Sequence, residues 1–359
     1  MKISFVMLGL KDHSTGGYHF NFKMVDALRN AGHDIDIVHF TTIPQRIRGS
    51  RAGGSFYILR RVLKYKPDLI VISKSYVFMI PLRLLLSFRK YPVLYLDHLE
   101  WHGSTGLIHR IRRLFVYWFL SSGKRVWVNS RSTATDVVSL GIPEEKICII
   151  PPGFHKFDLN PANRRSKPVK ILSVGTICPR KDQLTLVKAC GMLGNREFQL
   201  LIPGDETTHR DYVEAVRREA DSDQLRGKVS FPGHISQDDL RDMYDQSHIL
   251  ANLSHWEGYG IAVAEALWAG LPVLAADAGS VPELVTHGEN GFLIPPGDVE
   301  GCADHLKKLI DDDTLRDRMS ETAHKRAEKY FTWYDTGREF VKLAEETAGS
   351  KIRRDQPYQ

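Results

Sequence analysis

Two glutamates spaced eight residues apart are the side chains best placed to do chemistry in this chain. Glu257 precedes a Gly-Tyr-Gly turn, and Glu265 falls in the second turn of an apolar run that predicts a helix over 261–269, before a buried strand over 273–276. A loop that enters a helix in this way presents backbone N–H groups and the positive end of the helix dipole to an anion such as phosphate. The glycines would let that ligand approach the backbone closely. Paired hydroxyls of a sugar or ribose are natural partners for the carboxylates.

The same spacing would occur in an ordinary helix with two solvated glutamates, but the surrounding glycines and strand make the pattern more specific. The full pattern, E-G-x-G-x-x-x-x-E-A-x-x-x-G-x-P-V followed by G-S-x-x-E, resembles the retaining GT-B glycosyltransferases of the family-four type. The resemblance implies that Glu257 lies by the transferred sugar and that Glu265 holds the nucleotide ribose. The backbone and helix dipole would stabilise the donor diphosphate at Gly258, Tyr259, Gly260 and Ile261.

Two adjacent cations, Arg180 and Lys181, lie between a strand predicted at 169–174 and a helix that ends at Gly191. On such a loop an arginine fork and a compact lysine charge suit a diphosphate, although two solvated surface cations are the alternative. The resemblance places Lys181 on the donor diphosphate. The family often has an arginine directly after the first glycine, where this chain has Thr176, and Arg180 is the candidate substitute.

The chain begins with a predicted βαβ unit. Strands at 3–8 and 35–40 flank a helix at 20–30, and Gly16 and Gly17 form a turn between the first strand and the helix. This arrangement is typical of a doubly wound sheet. The resemblance implies that these two glycines let the loop lie against the donor diphosphate.

The family also places a histidine in the cleft near the transferred sugar, and His98 is the matching position. It follows a strand predicted at 93–96, at the carboxyl end where ligands of such sheets bind. His102 lies four residues further on and leaves the assignment between the two histidines open. The pair could instead hold a metal, but no third ligand accompanies it on an obvious helix.

Two further patterns have other interpretations. Asp34 and Asp36 form a D-x-D, the metal-binding signature of a different glycosyltransferase fold. They open a predicted strand, away from the carboxyl ends where ligands bind, so we expect no metal and no cofactor besides the donor substrate. Ser280 and Glu283 fit a capping box, with serine as N-cap and glutamate at N3, so Glu283 is interpreted as structural.

Length and composition indicate two domains. The chain has 359 residues, 42% hydrophobic and 26% charged, as in soluble globular proteins. The resemblance assigns 1–160 to an acceptor-binding domain, 168–330 to a donor-binding domain and 331–350 to a helix that crosses back to the first. Both domains would be α/β, Rossmann-like and doubly wound, and would face each other across a cleft. The polar, proline-containing stretch 158–168 predicts a linker.

Cellular location and partners are predicted from cysteine spacing, hydropathy and charge. The four cysteines lack metal-type spacing, the first residues read as a strand without a cleavage site, and no run of eighteen apolar residues occurs, so we expect a cytoplasmic protein. Residues 1–165 carry 25 Lys and Arg against 11 Asp and Glu, a balance of +14, whereas the remainder carries −8. A phospholipid surface, nucleic acid and an anionic acceptor are all candidate partners. No recognition-helix, RNP-like or zinc-finger pattern supports nucleic acid.

Three basic stretches, at 46–66, 83–90 and 109–125, favour an anionic membrane. In the last, Arg110, Arg112 and Arg113 lie off an apolar helical face, a basic amphipathic pattern. That face comprises Leu107, Ile108, Ile111, Leu114, Phe115, Trp118 and Phe119. It could instead pack on the sheet as an ordinary core helix. We expect peripheral association with the inner face of the cell membrane.

Together with the resemblance, these residues predict an enzyme that transfers a sugar from a nucleoside diphosphate sugar to a glycan or lipid-linked acceptor with retention of configuration. Its candidate catalytic residues are His98, Glu257, Lys181 and Arg180. A sugar phosphorylase or nucleotide-sugar epimerase on the same architecture is the alternative, which product analysis with and without acceptor would separate. A nucleic-acid binder is disfavoured. No residue distinguishes a uridine from a guanosine donor or identifies the sugar.

Overall fold

The computed structural model describes residues 1–7, 16–39, 51–73, 92–97, 107–157 and 167–349. The chain divides into two compact units, one formed by Met1–Gly153 with Trp333–Gln359 and the other by Phe154–Thr332. Each unit contains a parallel sheet of six described strands with helices packed on it. The predicted α/β class with two doubly wound sheets is confirmed.

The first unit is built on the sheet order β2-β1-β3-β4-β5-β6. Its strands are β1 (Lys2–Met7), β2 (Asp34–His39), β3 (Leu69–Ser73), β4 (Val93–Asp97), β5 (Arg125–Val128) and β6 (Ile147–Ile149). Its described helices are α1 (Gly16–Asn30), α2 (Arg51–Tyr65), α3 (Leu107–Ser121), α4 (Arg131–Ser139) and the C-terminal helix Trp333–Ala348.

The two faces of this sheet bury different helices, because successive strand residues point to opposite sides. Val126 and Val128 of β5 belong to the core that also includes residues of α2, α3 and α4. Trp127, between them, stacks on Phe20 of α1 with ring centroids 4.4 Å apart. Phe20 in turn contacts Phe340 of the C-terminal helix edge-on, at 6.5 Å. The C-terminal helix therefore packs beside α1 within this unit.

The second unit has the sheet order β12-β11-β10-β7-β8-β9. Its strands are β7 (Val169–Leu172), β8 (Phe198–Pro203), β9 (Val229–Gly233), β10 (Ile249–Asn252), β11 (Val273–Ala276) and β12 (Gly291–Ile294). Its helices are α5 (Gln183–Gly191), α6 (Arg210–Ala220), α7 (Gln237–Gln246), α8 (Ile261–Trp268), α9 (Val281–Leu284), α10 (Val299–Asp311) and α11 (Asp313–Ala327).

The chain order reverses between β7 and β10, which pair in parallel through Ile171 with Ile249 and Leu172 with Leu250. In open α/β sheets, ligands bind beyond the carboxyl ends of the strands at such a switch point. The loops that follow β7 and β10 therefore become neighbours at this edge, although they are about eighty residues apart in the chain. These two loops carry the predicted cations and the first predicted glutamate.

The chain passes between the two units at Gly153 and again at Thr332. The first unit ends at Gly153, and Phe154 already belongs to the second, where its N–H donates to the carbonyl of Phe331 at 3.2 Å. The chain returns to the first unit at Trp333, where the C-terminal helix begins. Of the predicted linker, residues 158–166 lie outside the described residues.

The predicted amphipathic face of α3 is not a single surface. Phe119 is fully buried with Val116 and Leu120, whereas Leu114 and Trp118 are 61% and 53% exposed. Phe115 and Phe119 of the predicted face do pack in the core. Val116 and Leu120, which lie outside that face, are buried with them, so the buried side of the helix coincides only partly with the predicted one. The side chains of residues 107–112 lie outside the described part. Among the helices described here, none combines the length and apolar character needed to cross a membrane.

Candidate functional site

The site in the second unit is built from the two loops at its switch point. After β7 the chain runs through Gly175 to the adjacent cations Arg180 and Lys181, and α5 starts two residues later, at Gln183. After β10 it runs through Ser254 to Glu257, and α8 starts at Ile261. Backbone and side-chain contacts join the two loops.

Lys181 is positioned by a glycine beneath it. Gly175 has φ +129, a conformation that favours glycine, and a Cβ atom there would lie 3.2 Å from Cε of Lys181, so a larger residue would push the lysine stem aside. The Nζ atom of Lys181 donates to Oε1 of Glu257 at 2.6 Å. Arg180 donates through Nη1 to the carbonyl of Trp256 at 3.0 Å. Both predicted cations therefore lie at the predicted glutamate.

Glu257 is buried and keeps its charge through these partners. Its Oε1 atom is also 2.8 Å from the Ser254 hydroxyl, and its Oε2 atom is 3.6 Å from Nη1 of Arg180. Burial on its own would raise the pKa of Glu257, but the charges of Lys181 and Arg180 and the hydrogen bonds lower it below the usual value. The carboxylate is thus ionised and held in one place.

The backbone of Glu257 is fixed by the loop after β11. The N–H and the hydroxyl of Ser280 both donate to the Glu257 carbonyl, at 3.0 and 3.1 Å. A Cβ atom on Gly279 would lie 2.3 Å from the same oxygen, so the two loops touch backbone to backbone. The predicted capping box at Ser280 and Glu283 is wrong, because the serine hydroxyl bonds Glu257 and gives α9 no side-chain cap.

Helix α8 begins where the sequence predicted a phosphate-binding helix end. Gly260 adopts the left-handed conformation, with φ +86, and caps the helix without a side chain. Ile261 starts the helix, Tyr259 is buried beside it, and Gly258 follows Glu257 directly. The N-terminus of α8 therefore lies on the same loop as the ionised Glu257, in a geometry suited to an anion.

Glu265 lies in the second turn of α8 in a different environment. The hydroxyl of Tyr244, a buried residue of α7, donates to its Oε2 atom at 3.0 Å. Burial raises the pKa of Glu265 to about 7, against smaller lowering effects from Tyr244 and Arg241. The sequence did not predict a role for Tyr244, since nothing in the local pattern pairs a tyrosine with a glutamate 21 residues away.

Two models of known glycosyltransferase families match this chain. The model of the Glycosyltransferase Family 4 matches residues 16–155, and the model of the glycosyl transferases group 1 matches residues 155–326. Together they span both units. The chain belongs to this glycosyltransferase family type.

Curated relatives agree with this assignment. An uncharacterized glycosyltransferase of Methanocaldococcus jannaschii is 27% identical over 263 residues, 68% of this chain and 66% of its own length. The amylovoran biosynthesis glycosyltransferase AmsK of Erwinia amylovora is 27% identical over 232 residues, 61% of this chain and 55% of its own length. The chain thus matches less than two thirds of each of these relatives.

Solved structures share the fold over nearly the whole chain. Sucrose-phosphate synthase from Thermosynechococcus elongatus superimposes with a TM-score of 0.81 at 19% identity, covering 96% of this chain and 98% of that one. HepE of Anabaena, solved in complex with UDP and glucose, gives a TM-score of 0.74 at 18% identity and covers 96% and 100% of the two chains.

Other predicted site residues of this glycosyltransferase lie in the first unit. His98 and His102 fall outside the described residues. Gly16 and Gly17 form the first turn of α1, which begins four residues earlier than predicted, so the pair is a helix start and not a preceding turn. A helix N-terminus has backbone N–H groups without an intrahelical partner, so the contact of these glycines with a diphosphate stays a prediction.

The D-x-D pattern lies at the start of β2. Asp34 opens β2, and the carboxylate of Asp36 receives a 2.6 Å hydrogen bond from Nη2 of Arg61 on α2. Both aspartates are at the amino end of the strand, opposite the ligand edge. Within the described ranges, no three or more His, Cys, Asp or Glu side chains form a group that could hold a metal ion.

Proposed function

We propose that this glycosyltransferase transfers a sugar from a nucleoside diphosphate sugar to a glycan or lipid-linked acceptor, with retention of configuration. The observation that carries the proposal is the convergence of Lys181 and Arg180 on Glu257, at a sheet switch point and on the loop that enters α8. Two cations and a helix N-terminus form a site for a diphosphate, and a buried carboxylate beside them suits sugar hydroxyls.

The chemistry follows from where charge develops. As the sugar–phosphate bond breaks, negative charge grows on the departing diphosphate, and Lys181, Arg180 and the first turn of α8 would stabilise it. Lys181 is 15% exposed and Arg180 38%, so both can turn from Glu257 toward a ligand. Glu257 already engages two cations and is no free nucleophile, which favours acceptor attack on the face that the diphosphate leaves.

Binding of nucleotides tests this assignment first. HepE was solved with UDP and with UDP-glucose, so UDP is the first nucleotide to titrate, with GDP beside it. We expect calorimetric binding of one of them, and sugar transfer when the matching nucleotide sugar and an acceptor are supplied. Absence of binding for both nucleotides would contradict a diphosphate site at Lys181.

We also propose that turnover needs no metal, since cationic side chains and backbone N–H groups can neutralise the leaving group. Activity measured in EDTA should equal the activity in untreated buffer. A loss that a divalent ion restores would instead assign charge neutralisation to that ion.

The acceptor side of the proposal rests on the outer surface of α2 and α3. Phe56 and Leu63 of α2 are 65% and 39% exposed, beside the exposed cations Arg60 and Lys64. On α3 the exposed Leu114 and Trp118 lie one turn apart. Because both helices pack on one face of the sheet, these side chains lie on one outer layer of the first unit. Exposed aromatic and apolar side chains among cations suit an anionic membrane surface, where a lipid-linked acceptor would be found.

Liposome sedimentation tests the membrane association. We expect binding to anionic vesicles that high salt weakens, and a several-fold weaker partition for the double variant Leu114→Ser/Trp118→Ser. The matched control is Met192→Ser, which removes an exposed apolar side chain of the second unit. Binding that is absent, or independent of lipid charge and salt, would point to a dissolved acidic acceptor.

A further inference from the structure

The residue after Lys181 holds an unusual backbone conformation. Asp182 has φ 50 and ψ 44, in the left-handed region that non-glycine residues adopt at a cost in free energy. Such a conformation persists when its surroundings hold it, and it is common at functional sites. Here the N–H of Asp182 donates to the Cys178 carbonyl at 3.3 Å, and its Oδ1 atom accepts from the N–H of Thr185 at 3.4 Å.

The other carboxylate oxygen of Asp182 faces a histidine on the opposite loop. Its Oδ2 atom lies 3.3 Å from Nε2 of His255, and in the described part of the chain no donor completes a hydrogen bond to it. Asp182 is 8% exposed, so this oxygen depends on a protein partner more than on water. The His255 side chain is 46% exposed, so its ring is not a core residue held by packing.

His255 is also tied to the cation loop through its backbone. Its N–H donates to the carbonyl of Arg180 at 2.8 Å. It lies two residues before Glu257, whose carboxylate accepts a hydrogen bond from Nζ of Lys181. The residue therefore contacts the turn on both sides of Lys181, at Arg180 through the backbone and at Asp182 through the ring.

We propose that His255 is a positioning residue for donor binding, which acts by holding the strained turn at Asp182 and thereby the direction of Lys181. The inference rests on the proposed function for its role in donor binding. Without the ring, the turn loses the partner of a buried carboxylate oxygen and can relax from the left-handed conformation. Lys181 then spends less time over Gly175, where its Nζ atom faces the diphosphate site.

Nucleotide titration of three variants tests this role. His255→Ala should weaken the binding of UDP, or of GDP if that is the nucleotide bound, by roughly 3- to 10-fold, because the buried Asp182 carboxylate loses its polar contact with the ring. His255→Gln keeps an amide donor and should recover most of the affinity. His287→Ala, at a histidine near the amino end of β12, is the matched control and should leave the affinity unchanged. Unchanged affinity in His255→Ala would overturn the proposal.

A second experiment uses the Lys181→Met variant to test whether His255 acts through Lys181. In Lys181→Met, adding His255→Ala should change the affinity by less than about 2-fold, because a residue that acts through Lys181 has nothing left to position. A full 3- to 10-fold additive loss would show that His255 acts by another route and would contradict the proposal.

A measurement without ligand separates this inference from the proposed function. The effect of His255→Ala on the unfolding equilibrium constant should differ at least 2-fold between proteins with Lys181 and proteins with Lys181→Met. The reason is that the His255–Asp182 contact and the Lys181–Glu257 pair stabilise each other. Equal effects in both backgrounds would overturn the positioning role. Failure of the unmodified protein to bind either nucleotide would overturn the proposed function, while this cycle still decides whether His255 positions Lys181.

Discussion

Glu257 and Glu265 are the same residue type, eight positions apart, in opposite electrostatic environments. Glu257 is surrounded by Lys181, Arg180 and the Ser254 hydroxyl, and its pKa is lowered despite burial. Glu265 has the Tyr244 hydroxyl as its hydrogen-bond donor, and burial raises its pKa to about 7. The difference shows that a neighbouring loop supplies cations to Glu257, whereas a neighbouring helix supplies a neutral donor to Glu265.

This contrast fits two different tasks. A carboxylate that already engages cations can release them to an incoming diphosphate and itself turn to sugar hydroxyls. A carboxylate that titrates near neutral pH is poised to accept hydrogen bonds from two neighbouring hydroxyls, as a ribose presents, when it is ionised. Nucleotide binding would then favour the charged form of Glu265.

The largest change in nucleotide affinity is expected for Lys181→Met. It removes one cation from the diphosphate site and should weaken nucleoside diphosphate binding roughly 10- to 100-fold, in line with about 1.5–3 kcal/mol for a charge-assisted hydrogen bond. It also leaves Glu257 buried with a weaker set of partners, so the melting temperature should fall.

Calorimetry and thermal unfolding of the same sample measure both effects. Lys188→Met, a lysine on α5 away from the loop, serves as the control. Retention of full nucleotide affinity in Lys181→Met would remove the lysine from the diphosphate site.

The second effect is a pH dependence of the folding stability that arises from Glu265. Because its pKa is higher in the folded protein than in the unfolded chain, the native state holds an extra proton between about pH 4.5 and 7. Its contribution to stability is therefore full below about pH 4.5 and is lost as pH rises to about 7, up to about 3 kcal/mol.

Denaturant unfolding of the natural protein and of Glu265→Gln across this range isolates the contribution. The variant should lack this part of the pH dependence, while the contribution of Glu257 runs the other way and is lost as pH falls. Identical pH profiles for the two proteins would show that Glu265 titrates normally.

The smallest effect is expected from Tyr244→Phe. Removing the hydroxyl takes away the hydrogen-bond donor of Glu265 and should cost about 1 kcal/mol of stability at neutral pH. The apparent pKa of Glu265 should rise further, because the donor favours the ionised form. A carboxyl-specific NMR titration checks the shift, and an unchanged pKa would mean that the Tyr244 hydrogen bond is not formed in solution.

The structural features that the sequence predicted depend on local patterns. The glycine turn at 258–260, helix α8 and strand β11 follow from patterns within one stretch of chain, and their structure agrees with the prediction. The roles proposed for the two glutamates and for Lys181 come from the family resemblance. Element ends shifted by a few residues, as at α1, where glycines that read as a turn start the helix.

The parts that the sequence could not predict depend on distant contacts. Lys181 and Glu257 are 76 residues apart and meet because β7 and β10 are adjacent in the sheet. The capping pattern at Ser280 failed because the Glu257 carbonyl, 23 residues away, competes for the hydroxyl. In α3 so many positions are apolar that periodicity alone did not choose the buried face.

Nucleotide titration of two matched variants separates the roles of the two glutamates. Glu265→Gln should weaken UDP or GDP binding about 10-fold, because the ribose loses a charged acceptor. Glu257→Gln should leave nucleotide binding unchanged or tighter, because it releases Lys181 and Arg180, while sugar transfer falls by more than about 100-fold. Equal losses of nucleotide affinity in both variants would show that Glu257 and Glu265 do not have different roles in nucleotide binding.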